Sequence, residues 1–124
     1  MFSKMDLTHW NKKSLLGIEE LTCSEINQIL DVAKFLKNEL DNGCSEKAYL
    51  RGKRIVNLFM EPSTRTRIAF ELAAKSLNAD VITVAEKSSS LTKGETLRDT
   101  ALNIQALGAD AIVLRHSSPG SPLF

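Results

Sequence analysis

The segment Glu61-Pro62-Ser63-Thr64-Arg65-Thr66-Arg67 threads two arginines between three hydroxyls. Hydroxyl donors beside a planar, permanently charged guanidinium are the groups that hold a phosphate. Ser63, Thr64 and Thr66 supply the hydroxyls and Arg65 the fork. Arg67 lies about 200° from Arg65 on an ideal helix, so the two are not expected to grip one phosphate. Arg67 is assigned instead to an ion pair with Glu71, four residues on. Helix capping competes with ligand binding as the reason for the Ser and Thr residues.

The surrounding elements place this segment at a strand-to-helix turn. Residues 55–60 form an apolar run that reads as a buried strand. After the turn, Ile68, Ala69, Leu72, Ala73 and Leu77 recur at helical spacing. The first N–H groups of a helix lack internal partners, and its dipole favours an anion there. Farther on, residues 81–84 and 111–114 read as apolar strands. Between them residues 95–107 read as a helix, with Leu97, Ala101, Ile104 and Leu107 on one face and Gly108 as its stop.

Strands alternating with helices, and strands that are apolar almost throughout, predict an α/β fold. It is a parallel sheet with flanking helices and right-handed crossovers, a Rossmann-like three-layer αβα arrangement. Ligands of such sheets sit beyond the carboxyl ends of the strands. Three polar segments land there: residues 63–67, residues 88–93, and Arg115-His116.

Upstream, Thr22-Cys23-Ser24-Glu25 has capping-box spacing. Ile26, Ile29, Leu30, Ala33, Leu36 and Leu40 then make one apolar stripe, and Gly43 supplies a stop. Residues 1–13 form a polar lead-in with Trp10 as an anchor. At the other end Ser121-Pro122 has the pattern of a helix start. The 124 residues suit one small domain, and that final pattern predicts the front part of a longer polypeptide.

Sixteen Lys and Arg against fifteen Asp and Glu leave a net charge of +1. No global basic field exists for nucleic acid, so an anion site must be built locally. No apolar run approaches the roughly 20 residues of a membrane span, and the N-terminus lacks a signal-peptide core; a cytoplasmic protein is expected. Cys23 and Cys44 bracket a predicted helix of about 20 residues, about 30 Å long. A disulfide needs Cα atoms within about 7 Å, so free thiols are expected. No His or Cys spacing matches a metal site, and no cofactor is expected.

Three further positions carry charge or could titrate. Lys93, beside Gly94, lies in a Ser-rich stretch that by composition is a linker. By its place after the second strand it is a candidate anion clamp. Arg115 closes the third strand, where it needs either an anion or a carboxylate partner. His116 is open between a general base and a structural role.

Residues 59–71, Phe59-Met60-Glu61-Pro62-Ser63-Thr64-Arg65-Thr66-Arg67-Ile68-Ala69-Phe70-Glu71, resemble the signature of the aspartate and ornithine carbamoyltransferases. Residues 90–100, around Lys93-Gly94-Glu95, and Ile112-Val113-Leu114-Arg115-His116 resemble the aspartate branch. The resemblance runs from Trp10 over most of the chain. It implies the N-terminal, carbamoyl-phosphate-binding half of a two-domain carbamoyltransferase, with the second, aspartate-binding domain absent. The implied substrates are carbamoyl phosphate and L-aspartate, in pyrimidine synthesis. Carried over by motif, Ser63, Thr64, Arg65 and Thr66 would hold the phosphate. Arg65 would stabilise the leaving group, and Thr66 and Arg115 would contact the carbamoyl portion. Ser90 and Lys93 would reach into a neighbouring subunit's site to bind aspartate and phosphate, Lys93 meeting an aspartate carboxylate as well as the phosphate, which implies a homotrimer and leaves room for regulatory chains. A non-catalytic phosphate-binding or trimer-assembly module is the alternative, and the chain alone is expected to bind carbamoyl phosphate at most.

Overall fold

The computed structural model describes residues 10–43, 48–85 and 96–123. The chain divides into two compact units, Met1–Cys44 and Ser45–Phe124. Among the described residues no helix is long and apolar enough to cross a membrane.

The first unit is built around α1 (Cys23–Asp41). Its N-terminus closes with the expected capping box: the Glu25 N–H donates to Thr22 Oγ1 (3.2 Å) and the Thr22 N–H to Glu25 Oε2 (2.8 Å). Asn42 ends the helix and Gly43 follows at φ 70°. The apolar stripe of α1 lines an open groove of about 390 Å³, with Ile26, Ile29 and Leu30 facing Leu15, Leu16, Ile18 and Leu21. Trp10 is half-buried and donates its indole N–H to the Lys12 carbonyl at 3.0 Å. Cys23 is a free, exposed thiol, and Cys44 lies outside the described residues.

The second unit runs β1 (Arg54–Met60), α2 (Thr64–Ser76), β2 (Asp80–Ala85), α3 (Leu97–Ala106), β3 (Ala111–His116) and a short 3₁₀ turn, Ser121–Leu123. The three described strands are parallel and the order is β2-β1-β3. β1 is central, so its middle and end are buried from both sides, and Val56, Leu58, Phe59 and Met60 form the core. Leu58 is fully buried, in register with Val84 on one side and Leu114 on the other.

Both crossovers start or end beside β1 but run in opposite directions. Right-handed connections therefore put α2 and α3 on opposite faces of the sheet. The boundaries match the sequence expectation to within two residues, with one consequential difference: β3 continues through Arg115 and His116. Gly108 ends the α3 segment at φ 96°, where a Cβ would also lie 2.9 Å from Arg54 Nη1.

Two carboxylates tie local structure to pH. The Thr22 backbone N–H, then its hydroxyl and Lys12, hold the Glu25 carboxyl below its ordinary value of 4.5. Lys75 first, then Thr83 and Arg67, hold Glu71 below the same value. A carboxyl with a lowered folded-state pKa adds stability that is complete above the unfolded value and lost as pH falls through the folded one. The melting temperature is therefore expected to hold from neutrality to about pH 5 and to fall below it. Glu25→Gln should flatten that acid limb, as thermal melts across pH 3–6 would measure.

Candidate functional site

Three α-helices begin among the described residues, and two of them consume their own N-terminal donors. α1 and α3 each open with a Thr whose hydroxyl accepts an N–H and an acid whose carboxylate returns the bond: Thr22 with Glu25, and Thr96 with Asp99. α2 does neither. Its N-cap, Ser63, makes no side-chain capping bond, and its first turn contains no acid. The helical ladder starts with the Arg67 N–H to the Ser63 carbonyl at 3.1 Å. The Thr64, Arg65 and Thr66 N–H groups precede that first bond and are left for an outside acceptor. The capping explanation of these residues therefore does not hold for the Ser63 side chain.

The first turn of α2 also carries arginines and no acid, the Glu61 carboxylate lying three residues before the helix. Arg65 is exposed on the first turn and Arg67 is half-buried. Dipole and arginine charge have the same sign there, which favours an anion.

The strand order explains why Arg115 belongs to the same place. The gap between β1 and β3 is the point at which the chain reverses direction across the sheet, where open α/β sheets bind ligands. Arg115, in register with Phe59, sits on the β3 side of that gap. Its guanidinium donates through Nη1 to Thr66 Oγ1 at 2.9 Å and through Nε to Glu61 Oε1. One side chain thus joins the end of β1, the first turn of α2 and the end of β3. Both remain partly exposed, Arg115 at 41% and Glu61 at 27% of the side chain. An incoming anion can therefore reach the fork and compete with the Glu61 carboxylate for it.

His116 lies outside this cluster. Its Nδ1 accepts the Ser118 N–H at 2.9 Å and lies 3.0 Å from Ser121 Oγ, which donates to the Ser118 carbonyl at 2.7 Å. With Nδ1 used as an acceptor from a backbone N–H, the proton of the neutral ring resides on Nε2. The ring shapes the turn after β3, so the structural alternative holds. His116→Ala is expected to cost about 1 kcal/mol of stability and to leave anion binding at Thr66 and Arg115 intact, which a urea titration beside a phosphate titration would check.

The structure brings Thr66 and Arg115 into contact and places Ser63, Thr64 and Arg65 on the same turn. Ser90 and Lys93 lie outside the described residues. The expected Arg67–Glu71 ion pair is replaced by another. Glu71 bonds Lys75 at 2.9 Å and Thr83 at 3.1 Å, with Arg67 acting on it only through its charge. Sequence reasoning gave Glu61 no role; the clue was an acid directly after a buried strand and before the arginine-rich turn.

Comparison with known proteins gives this geometry a family context. Residues 13–123 match the family model described as "Aspartate/ornithine carbamoyltransferase, carbamoyl-P binding domain". The aspartate carbamoyltransferase catalytic subunit of Opitutus terrae is 58% identical over 115 residues, which are 93% of this chain and 37% of that protein. The structure of the catalytic subunit of M. jannaschii aspartate transcarbamoylase aligns with TM-score 0.79 at 44% identity, over 89% of this chain and 36% of that one. Aspartate transcarbamoylase from Trypanosoma cruzi, solved in complex with carbamoyl phosphate, aligns with TM-score 0.78 at 29% identity, over 87% and 34%. The chain thus spans a little over a third of the length of the curated relatives it matches.

Proposed function

We propose that this chain, which belongs to the aspartate/ornithine carbamoyltransferase family, forms the carbamoyl-phosphate half of an aspartate carbamoyltransferase site. The observation that carries this is the uncapped, cation-flanked N-terminus of α2 beside the Arg115–Thr66 contact at the β1/β3 gap. The phosphate group would accept from the free N–H groups of the first turn and from Ser63, Thr64 and Thr66, with Arg65 closing over it. Arg115 and the Thr66 hydroxyl, already bonded to each other, would meet the carbamoyl end.

Those positions suit the reaction. The aspartate amine donates its lone pair to the carbonyl carbon, and the C=O electrons move onto oxygen. Collapse of that tetrahedral oxyanion expels phosphate with the C–O bonding pair, and the amine proton leaves with it. The products are N-carbamoyl-L-aspartate and phosphate. Carbamoyl phosphate is a mixed anhydride and already activated, so no protein nucleophile is needed. Donors placed where charge grows supply most of the acceleration. Arg65 would act on the departing phosphate, and Arg115 with Thr66 on the carbonyl oxygen.

Aspartate recognition would come mainly from the portion of the relatives' length that this chain does not span, with Lys93 of a neighbouring subunit meeting one aspartate carboxylate. The proposed functional unit is a cytoplasmic homotrimer in which Ser90 and Lys93 complete a neighbour's site. The chain by itself is a carbamoyl-phosphate-binding unit without turnover. Titrating inorganic phosphate into the ¹⁵N-labelled chain tests the first step. The Thr64, Arg65 and Thr66 amides should shift most, whereas shifts confined to the Thr22 or Thr96 helix starts would exclude this site.

A further inference from the structure

The position of α2 along the sheet must be fixed for its first turn to serve as a cradle, yet the helix has few apolar anchors. Ala74 is its one buried residue, and Ile68, Phe70 and Leu72 remain 46%, 45% and 59% exposed. With so little apolar surface buried, the helix depends more on polar contacts for its position.

A polar connection runs from the middle of the sheet to the middle of this helix. Asn57 is completely buried at the centre of β1, a position where an apolar side chain would ordinarily be more stable. Its Nδ2 donates a long hydrogen bond to Thr83 Oγ1 (3.5 Å), directly across the β1–β2 register. Thr83 Oγ1 in turn donates to Glu71 Oε2 at 3.1 Å, while Lys75 Nζ holds Oε1 at 2.9 Å. Both carboxylate oxygens are therefore fixed. Asn57 Oδ1 has no partner among the described residues, so the amide contributes little beyond orienting the Thr83 hydroxyl outward.

We infer that Glu71, gripped by Thr83 above Asn57, is a positioning residue that sets where the first turn of α2 sits against the β1/β3 gap. Thr66 lies five residues toward the N-terminus, about 7.5 Å along the axis, on the same stiff helix. A shift at Glu71 is passed undiminished to the Thr66 hydroxyl, now 2.9 Å from Arg115, and to the three free N–H groups. This role rests on the anion-cradle assignment for its purpose, though not for its geometry.

Thr83→Val removes the hydroxyl at nearly constant volume, and Thr83→Ser keeps it. Amide ¹H–¹⁵N spectra of the ligand-free chain and calorimetric titration with inorganic phosphate give two independent readouts. The Val variant is expected to move the Thr64–Thr66 resonances and weaken phosphate binding on the order of tenfold, near the upper range for one hydrogen bond. The Ser variant should restore both. A folded Val variant whose Thr64–Thr66 resonances stay at their wild-type positions overturns the positioning role. If those resonances move but the wild-type chain binds no phosphate, the positioning stands and the anion assignment fails. Should Thr83→Val not fold, Glu71→Ala, on the helix surface, must show the same displacement for the inference to hold.

Discussion

Arg65→Ala is expected to cut turnover by about 10²–10³-fold in a full-length catalytic chain carrying this domain, with the fold intact. One preorganised donor aimed at transition-state charge is typically worth about 3–4 kcal/mol. Arg65 is exposed, and its guanidinium makes no hydrogen bond or ion pair with the described residues, so truncation removes no structural contact. Steady-state kinetics beside a thermal melt separate the two effects. A drop in rate with an unchanged melting temperature is the expected pattern. An equal loss of stability would mean that Arg65 supports the fold.

Leu58→Ala is expected to have the opposite signature. Leu58 is fully buried on the central strand between Val84 and Leu114 and touches no proposed ligand. Removing its isobutyl group costs about 2–5 kcal/mol, transfer and cavity terms together. Small domains hold only about 5–15 kcal/mol in total, so much of the population should unfold near physiological temperature. Urea denaturation should show the lower midpoint. Saturating phosphate should recover part of the loss, since a ligand that binds only the native state stabilises it. A wild-type midpoint in the variant would contradict the assignment of the core to β1.

The sequence and the structure agree where the physics is local. β1 was legible because a strand buried on both faces reads as a nearly continuous apolar run, interrupted here only by Asn57, and the Thr22–Glu25 cap because both partners lie within one turn. Strand order was not legible: nothing in the helical connections says that β3 returns across β1, and that return is what creates the gap where Arg115 meets Thr66. β3 outran its expected end because Arg115 and His116 are polar. Each is nonetheless accommodated in the strand, Arg115 by Glu61 and Thr66, His116 by Ser118 and Ser121.

The Glu71 partner shows the limit of spacing rules. Arg67 and Lys75 both lie four residues from Glu71, one on each side, and a helix rule cannot choose between them. Thr83, twelve residues away on β2, also binds the carboxylate; only the fold brings it there. The hydroxyls of the first turn were equally ambiguous, since a cap and a cradle use the same residue types. The Ser63 side chain makes no capping bond, which removes the cap reading at that position.

The most direct test is calorimetric titration of this chain with a non-hydrolysable carbamoyl-phosphate analogue, wild type beside Arg65→Ala. Saturable binding by the wild type, lost in a folded Arg65→Ala variant, is the predicted result and places the donor at the N-terminus of α2. Equal binding by the two folded proteins would contradict it and put the phosphate elsewhere.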